Sequence, residues 1–238
     1  MLEFASVCEC GENEVNYDAI GISEDSHCTL FAVADGKGVP NASRLVLSTM
    51  MEDIKEKAEV TTSTLPNCFK HAQAVLEDFQ KESMLPGGLS AAVLLTDGEV
   101  ALWAHIGDAR IYHLQDDWLY DITPDHSEAY TLYEAGEIRY PKIRTHRNRG
   151  NVFQLMGLEQ NFVPAFSKPT TVKKNDSFLI CTDGFWGNIH ERGIEKALKR
   201  AKNPQEWLDR MVKTVKKNRE TGKYTRVLDD YSAITIQI

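Results

Sequence analysis

Five aspartates, Asp18, Asp35, Asp108, Asp183 and Asp229, sit where apolar runs of strand length begin or end. Thr29–Ala34 runs straight into Asp35-Gly36, and Phe178–Thr182 runs into Asp183-Gly184. Asp18 and Asp229 precede strand-like runs, and Asp108 lies between two of them in Ile106-Gly-Asp-Ala-Arg110. A single Asp-Gly is usually a hairpin turn. Asp97-Gly98 is read that way, because strand-like runs fold back on either side of it. No second strand is expected directly after Asp35-Gly36, so its turn needs another reason. If the five side chains converge, they cannot all stay ionised unless cations neutralise them. Carboxylates with backbone carbonyls and water suit hard ions, Mg²⁺ or Mn²⁺. No His-Glu-x-x-His or Cys/His cluster competes for zinc.

The elements that must hold these residues follow from periodicity. Residues 2–7 and 17–22 read as short strands around a polar 9–16 turn. Ala42, Leu45, Val46, Thr49, Met50 and Ile54 recur at helical spacing, and so do Leu65, Phe69, Ala72, Leu76 and Phe79. Pro86-Gly87-Gly88 stops the second helix. Runs 90–96, 99–106, 109–115 and 118–121 predict one meander with short turns. Thr123-Pro124 predicts a helix N-cap and first turn, with Gly136 closing that helix. The basic run 139–150 is either a solvated connector or a dock for an anionic substrate. Two helices follow Asp183, the second opening at Asn203-Pro204. Its late Lys213, Lys216, Lys217 and Arg219 suit the helix dipole. Residues 231–238 alternate as a closing strand. Strands in clusters and helices in pairs predict an α+β fold, not an alternating parallel one. The expected architecture is a four-layer αββα sandwich, two mostly antiparallel sheets flanked by helix pairs.

At 238 residues with 42% apolar and 26% charged side chains, the chain can bury a large core. A net charge of -8 argues against general nucleic-acid binding, since phosphate backbones attract basic surfaces. Five cysteines, an odd number without Cys-x-x-Cys spacing, predict reduced thiols in a cytoplasmic protein. No signal peptide, membrane-length apolar run, internal repeat or low-complexity linker is evident.

The motifs Val33-Ala-Asp35-Gly36-x-Gly38, Gly107-Asp108-Ala-Arg110, Ile122-Thr-Pro-Asp-His-Ser127, Cys181-Thr-Asp183-Gly184-Phe-Trp186 and Asp229-Asp-Tyr-Ser232 occur in order. Together they resemble the metal-dependent protein phosphatase 2C (PPM) family, bacterial members in particular. The likeness runs from about Asn16 to the last residue. Segments 135–138 and 150–152 resemble the borders of that family's flap, here about 136–160 within a single 1–238 domain. The resemblance implies a phosphoprotein phosphatase that hydrolyses phosphoserine and phosphothreonine by attack of a water bridging two Mn²⁺ or Mg²⁺ ions. It implies that Asp35 bridges both ions, with the Gly36 carbonyl on one. Asp183 and Asp229 would hold the other, Asp18 would orient the attacking water, and Asp108 would support a loosely held third ion. The implied partners are a phosphorylated protein and its Ser/Thr kinase. No nucleic-acid or membrane partner is expected, and the chain is expected to be a monomer.

The chain departs from that pattern at several positions. Asn13 stands where the family usually carries the arginine that grips the substrate phosphate. Val39 replaces a glycine, Tyr17 an acidic residue and Asp230 an asparagine. Lys37 either substitutes for the lost arginine, as a phosphate contact or an aid to the leaving group, or is a solvated loop lysine. Two other functions stay open: a degenerate phosphatase-fold module that binds phosphoproteins or a signalling partner without efficient turnover, and a metal phosphodiesterase. The acidic charge and the lack of a nucleotide loop weigh against the phosphodiesterase.

Overall fold

A computed structural model describes residues 2–12, 14–25, 27–38, 41–57, 60–158, 160, 162–224 and 228–238, with positions 56 and 57 for backbone only. Strands β1 (Glu3–Glu9), β2 (Asp18–Glu24) and β3 (Thr29–Lys37) lead to helices α1 (Ala42–Lys57) and α2 (Thr64–Ser83). Strands β4 (Gly88–Thr96), β5 (Val100–Ile106), β6 (Arg110–Gln115) and β7 (Trp118–Ile122) follow. Next come α3 (Glu128–Glu134), a 3-10 turn at Tyr140–Thr145, and the short strands β8 (Ala165–Phe166) and β9 (Thr170–Thr171). The chain closes with β10 (Asp176–Cys181), α4 (Asp183–Trp186), α5 (Glu191–Leu198), α6 (Pro204–Glu220) and β11 (Tyr231–Gln237). Every strand pairing is antiparallel. One sheet has the order β1-β11-β10-β6-β7 and the other β2-β3-β4-β5-β8, with β9 also on β5.

Alternation along the strands sorts the side chains into layers. Phe31, Val33, Ala92, Leu94, Phe178, Ile180, Ile234 and Ile236 interleave between the two sheets. Their neighbours Leu30, Ala32 and Ala34 pack instead with Val46, Met50 and Phe69 of α1 and α2. On the far side Leu179, Cys181 and Ala233 pack with Phe185, Trp207 and Met211. The result is the expected αββα sandwich. No described helix is long and apolar enough to cross a membrane, and no disulfide joins the five cysteines.

Three local expectations are corrected. The predicted meander is divided: β5 belongs to one sheet and β6 to the other, so Gly107-Asp108-Ala109 carries the chain across the sandwich. Asp35-Gly36 is no turn at all. Strand β3 continues to Lys37, with Gly36 opposite Leu89 and Lys37 opposite Gly88. The helix expected from Thr123-Pro124 starts at Glu128, capped by the Ser127 side chain accepting from the Tyr130 N–H at 3.3 Å. The Thr123 hydroxyl instead accepts from the Ile111 N–H at 2.9 Å, which binds that segment to β6. Gly136 does follow the helix end, at φ +76°.

Candidate active site

The site forms where the inter-sheet rows run out of apolar residues. On β3 the row Phe31, Val33 continues to Asp35, and on β2 the row Ile20, Ile22 begins at Asp18. Asp18 and Asp35 stand directly opposite in the antiparallel register. A like-charged pair across two strands is unfavourable unless something neutralises it. On the other side Asp35 faces Ser90 of β4, whose hydroxyl donates to Asp108 Oδ1 at 2.9 Å. Thr182, the residue after β10, donates its hydroxyl to Asp18 Oδ2 at 2.8 Å. Polar side chains from both sheets therefore converge on one end of the cleft.

Two glycines allow that convergence. Gly107 has φ +85°, and a Cβ there would lie 2.1 Å from the Ser90 hydroxyl. Only glycine adopts that turn and admits Ser90, and the turn sets Asp108 between the sheets. Gly184 brings α4 against the 229–230 segment, since a Cβ there would lie 1.9 Å from the Asp230 carbonyl oxygen. Asp183 and Asp229 thereby come together at the cleft. Asp230 works differently from its neighbour. Its carboxylate accepts the backbone N–H groups of Gly11 and Tyr17, each at 2.7 Å, and ties the loop before β2 to β11. Tyr17, Asp35, Gly36, Lys37, Gly38, Asp229 and Asp230 line a cavity of about 290 Å³ at the mouth. Asn13 and Val39 lie outside the described residues.

The electrostatics show how crowded the carboxylates are. Asp18, Asp108 and Asp183 are buried, and Asp35 and Asp229 are partly open to the cleft. Burial first, and then the fields of Asp18, Asp183, Asp108 and Asp229, hold the Asp35 carboxyl well above the usual range. Burial likewise pushes Asp18 up to about 8, with Asp183 and Asp230 adding to it against the Thr182 hydrogen bond. Asp108 rises to about 7, through burial and the charges of Asp183 and Asp125. Asp229 is also raised, by burial and then by Asp183. For Lys37 burial works to lower the pKa, but Asp108, Asp183, Asp35 and Asp229 outweigh it and hold the ammonium charged.

These residues fit a hard divalent cation. Asp108 Oδ2 and Asp183 Oδ1 are buried without a hydrogen-bond partner, although buried polar atoms are nearly always paired. No group of three or more His, Cys, Asp or Glu among the described residues could by itself hold an ion. An ion here would therefore take one or two carboxylates and complete its shell with water, as Mg²⁺ can.

Behind the site lies a support that the sequence reading missed. Arg110 makes two parallel bonds of 2.6 Å to Asp125, and its guanidinium lies 3.5 Å from the Trp186 ring centroid. Trp186 in turn donates its indole N–H to the Asp108 carbonyl at 2.8 Å. The basic 139–150 run proves to be neither a uniform connector nor a uniform dock. Arg144 is buried on the Trp186 carbonyl and Glu191, Arg139, Lys142 and Arg147 are exposed, and Arg149 Nη2 donates to Asp183 Oδ2 at 3.2 Å. The signal for Thr182 was its place beside Asp183; Ser90 becomes visible only through the register with Asp35.

Comparison with known proteins points to one family. The serine/threonine phosphatase stp of Listeria monocytogenes serotype 4b is 26% identical over 208 residues, spanning 82% of this chain and 81% of that protein. Among solved structures, the Staphylococcus aureus serine/threonine phosphatase Stp1 has a TM-score of 0.88 at 21% identity, over 100% of this chain and 95% of that one. The catalytic domain of the serine/threonine protein phosphatase PstP, solved in complex with 2 manganese ions, has a TM-score of 0.78 at 20% identity, over 99% and 97%. At those identities the structural likeness speaks for the fold. The sequence model described as protein phosphatase 2C matches residues 10–230, and on that match the chain belongs to the protein phosphatase 2C family.

Proposed function

We propose that this chain is a single-domain, metal-dependent protein phosphatase acting on phosphoserine and phosphothreonine in proteins. The observation that carries the reading is the set of crowded carboxylates around the cleft, two with buried unpartnered oxygens. Asp35, the Gly36 carbonyl, Asp183 and Asp229 would hold two Mn²⁺ or Mg²⁺ ions, and Asp108 a third. Bound there, a pair of such ions lowers the pKa of a shared water and stabilises the charge that develops at phosphorus. Asp18, fixed by Thr182 Oγ1 at 2.8 Å, would accept a hydrogen bond from that water and aim it in line with the scissile bond. Lys37 would place a positive charge beside the phosphate or the departing oxygen. The substrate is then a protein phosphorylated by a Ser/Thr kinase, as the names of the relatives suggest.

Hydrolysis of a phosphothreonine peptide that requires Mn²⁺ and stops with a chelator tests the reading. Asn13, in place of an arginine, favours a second one, a module that binds phosphoproteins without turnover. That module would bind Mn²⁺ and phosphopeptide yet leave the phosphate in place. Within the enzyme reading, Lys37→Ala should lower kcat/KM about tenfold, the effect of losing one charged hydrogen bond. An unchanged kcat/KM would make Lys37 a bystander on the rim.

A further inference from the structure

Three arginines lie close to the Trp186 ring, with guanidinium carbons 3.5, 6.0 and 5.5 Å from its centroid for Arg110, Arg144 and Arg149, and their commitments differ. Arg110 is locked on Asp125 by two bonds of 2.6 Å, with both side chains buried. Arg144 is buried as well and is held by the Trp186 carbonyl at 3.0 Å and by Glu191 at 2.8 Å. Arg149 is held more loosely. Its Nη2 reaches Asp183 Oδ2 at 3.2 Å and its Nη1 reaches the Arg144 carbonyl at 3.4 Å. Both distances exceed the 2.7–2.9 Å typical of a charged nitrogen–oxygen bond. The site also makes room for it. A Cβ on Gly187 would come within 2.6 Å of Arg149 Nη1, so the residue after α4 leaves room for the guanidinium only because it has no side chain.

We propose that Arg149 is the residue that grips the phosphate of the substrate, parked on Asp183 until a cation and a phosphate take over its two roles. The assignment rests on the phosphatase reading above. Asp183 faces the cleft with one oxygen on Arg149 and the other without a partner. A divalent cation on this carboxylate supplies the positive charge that Arg149 supplies in its absence. The guanidinium is then left at the cleft with donors to satisfy, facing the place where a phosphate dianion enters. Its planar fork matches two phosphate oxygens at once, which the point charge of Lys37 cannot do. Trp186 at 5.5 Å from the guanidinium carbon limits how far the side chain can swing.

Calorimetric titration of inorganic phosphate into the Mg²⁺-loaded chain tests the assignment, with the Mg²⁺ affinity measured in parallel. Arg149→Gln should weaken phosphate binding about tenfold or more and leave Mg²⁺ binding unchanged or tighter, since a competitor for Asp183 is gone. Arg149→Lys should fall between the two, because the charge stays and the fork is lost. A Gln variant with normal phosphate affinity would overturn the proposal, and a changed Mg²⁺ affinity beside it would show Arg149 to be a counter-charge for Asp183 alone. Should the Gln variant not fold, the Lys variant decides, and normal phosphate binding there overturns it equally. Failure of the phosphatase reading would look different: the wild-type, Mg²⁺-loaded chain would bind phosphate yet leave a phosphopeptide intact.

Discussion

Asp35→Asn is expected to cut metal-dependent turnover about 10³-fold and at the same time to raise the melting temperature of the metal-free protein. The two effects share one cause. Asp35 stands in register with Asp18 and inside the fields of Asp183, Asp108 and Asp229. Without cations its charge is a burden on the fold, and under the proposed function it would be shared between two ions. If Asp35 holds both ions as proposed, its loss should cost about 10³-fold in kcat/KM, roughly 4 kcal/mol. The pH dependence has a definite sign. Folded-state pKa values of about 8 for Asp18 and about 7 for Asp108 lie above the ordinary carboxylate range. The folded, metal-free protein therefore holds protons that the unfolded chain has already released. That contribution is complete below about pH 4 and is lost as pH rises through about 7 to 8. Within that window the metal-free wild type should melt higher at pH 6 than at pH 8.5, and the Asn variant should show less of this difference. Mn²⁺ at a hundredfold excess over Kd should stabilise the wild type by about 2.7 kcal/mol per site, roughly 5–10 °C. Thermal melts of both proteins across pH, with and without Mn²⁺, measure all of this. A metal-free Asn variant that melts lower than wild type would contradict the account.

Asp125→Ala is expected to be the most destabilising single change near the site. It would leave the Arg110 guanidinium buried without its two 2.6 Å bonds. Breaking a buried ion pair on one side costs about 3–5 kcal/mol, because the remaining charge has lost its compensation. The loss should also reach the chemistry, since Arg110 stacks on Trp186 and Trp186 holds the Asp108 carbonyl. Urea unfolding at neutral pH reads the stability, with Asp125→Asn as the milder variant that keeps the shape. A loss below about 1 kcal/mol would mean that Glu191, 3.9 Å from Arg110 Nη1, takes over the pairing.

Much of this was legible in the sequence, and the reasons differ by element. The buried strands announced themselves because both faces of each are covered, so β3 and β10 read as continuous apolar runs. The aspartates were legible because each stands where such a run begins or ends. What stayed hidden was register. Nothing in the residue order places Ser90 opposite Asp35, or shows that Gly107 carries the chain from one sheet to the other. Turn chemistry misled where a long-range bond won. Thr123-Pro124 carries the residues of a helix start, but Asp125 is claimed by Arg110 and Thr123 by Ile111, which delays the helix to Glu128. Within the basic 139–150 run Arg144 and Arg149 look like their exposed neighbours. Their partners Glu191 and Asp183 lie more than thirty residues away.

Anomalous diffraction from crystals soaked in Mn²⁺ tests the central claim most directly. Two peaks about 4 Å apart are expected at the mouth of the inter-sheet cleft, sharing Asp35, with the Gly36 carbonyl on one and Asp183 and Asp229 on the other. Absence of manganese between these residues at saturating metal, or peaks confined to carboxylates elsewhere on the surface, would contradict the account.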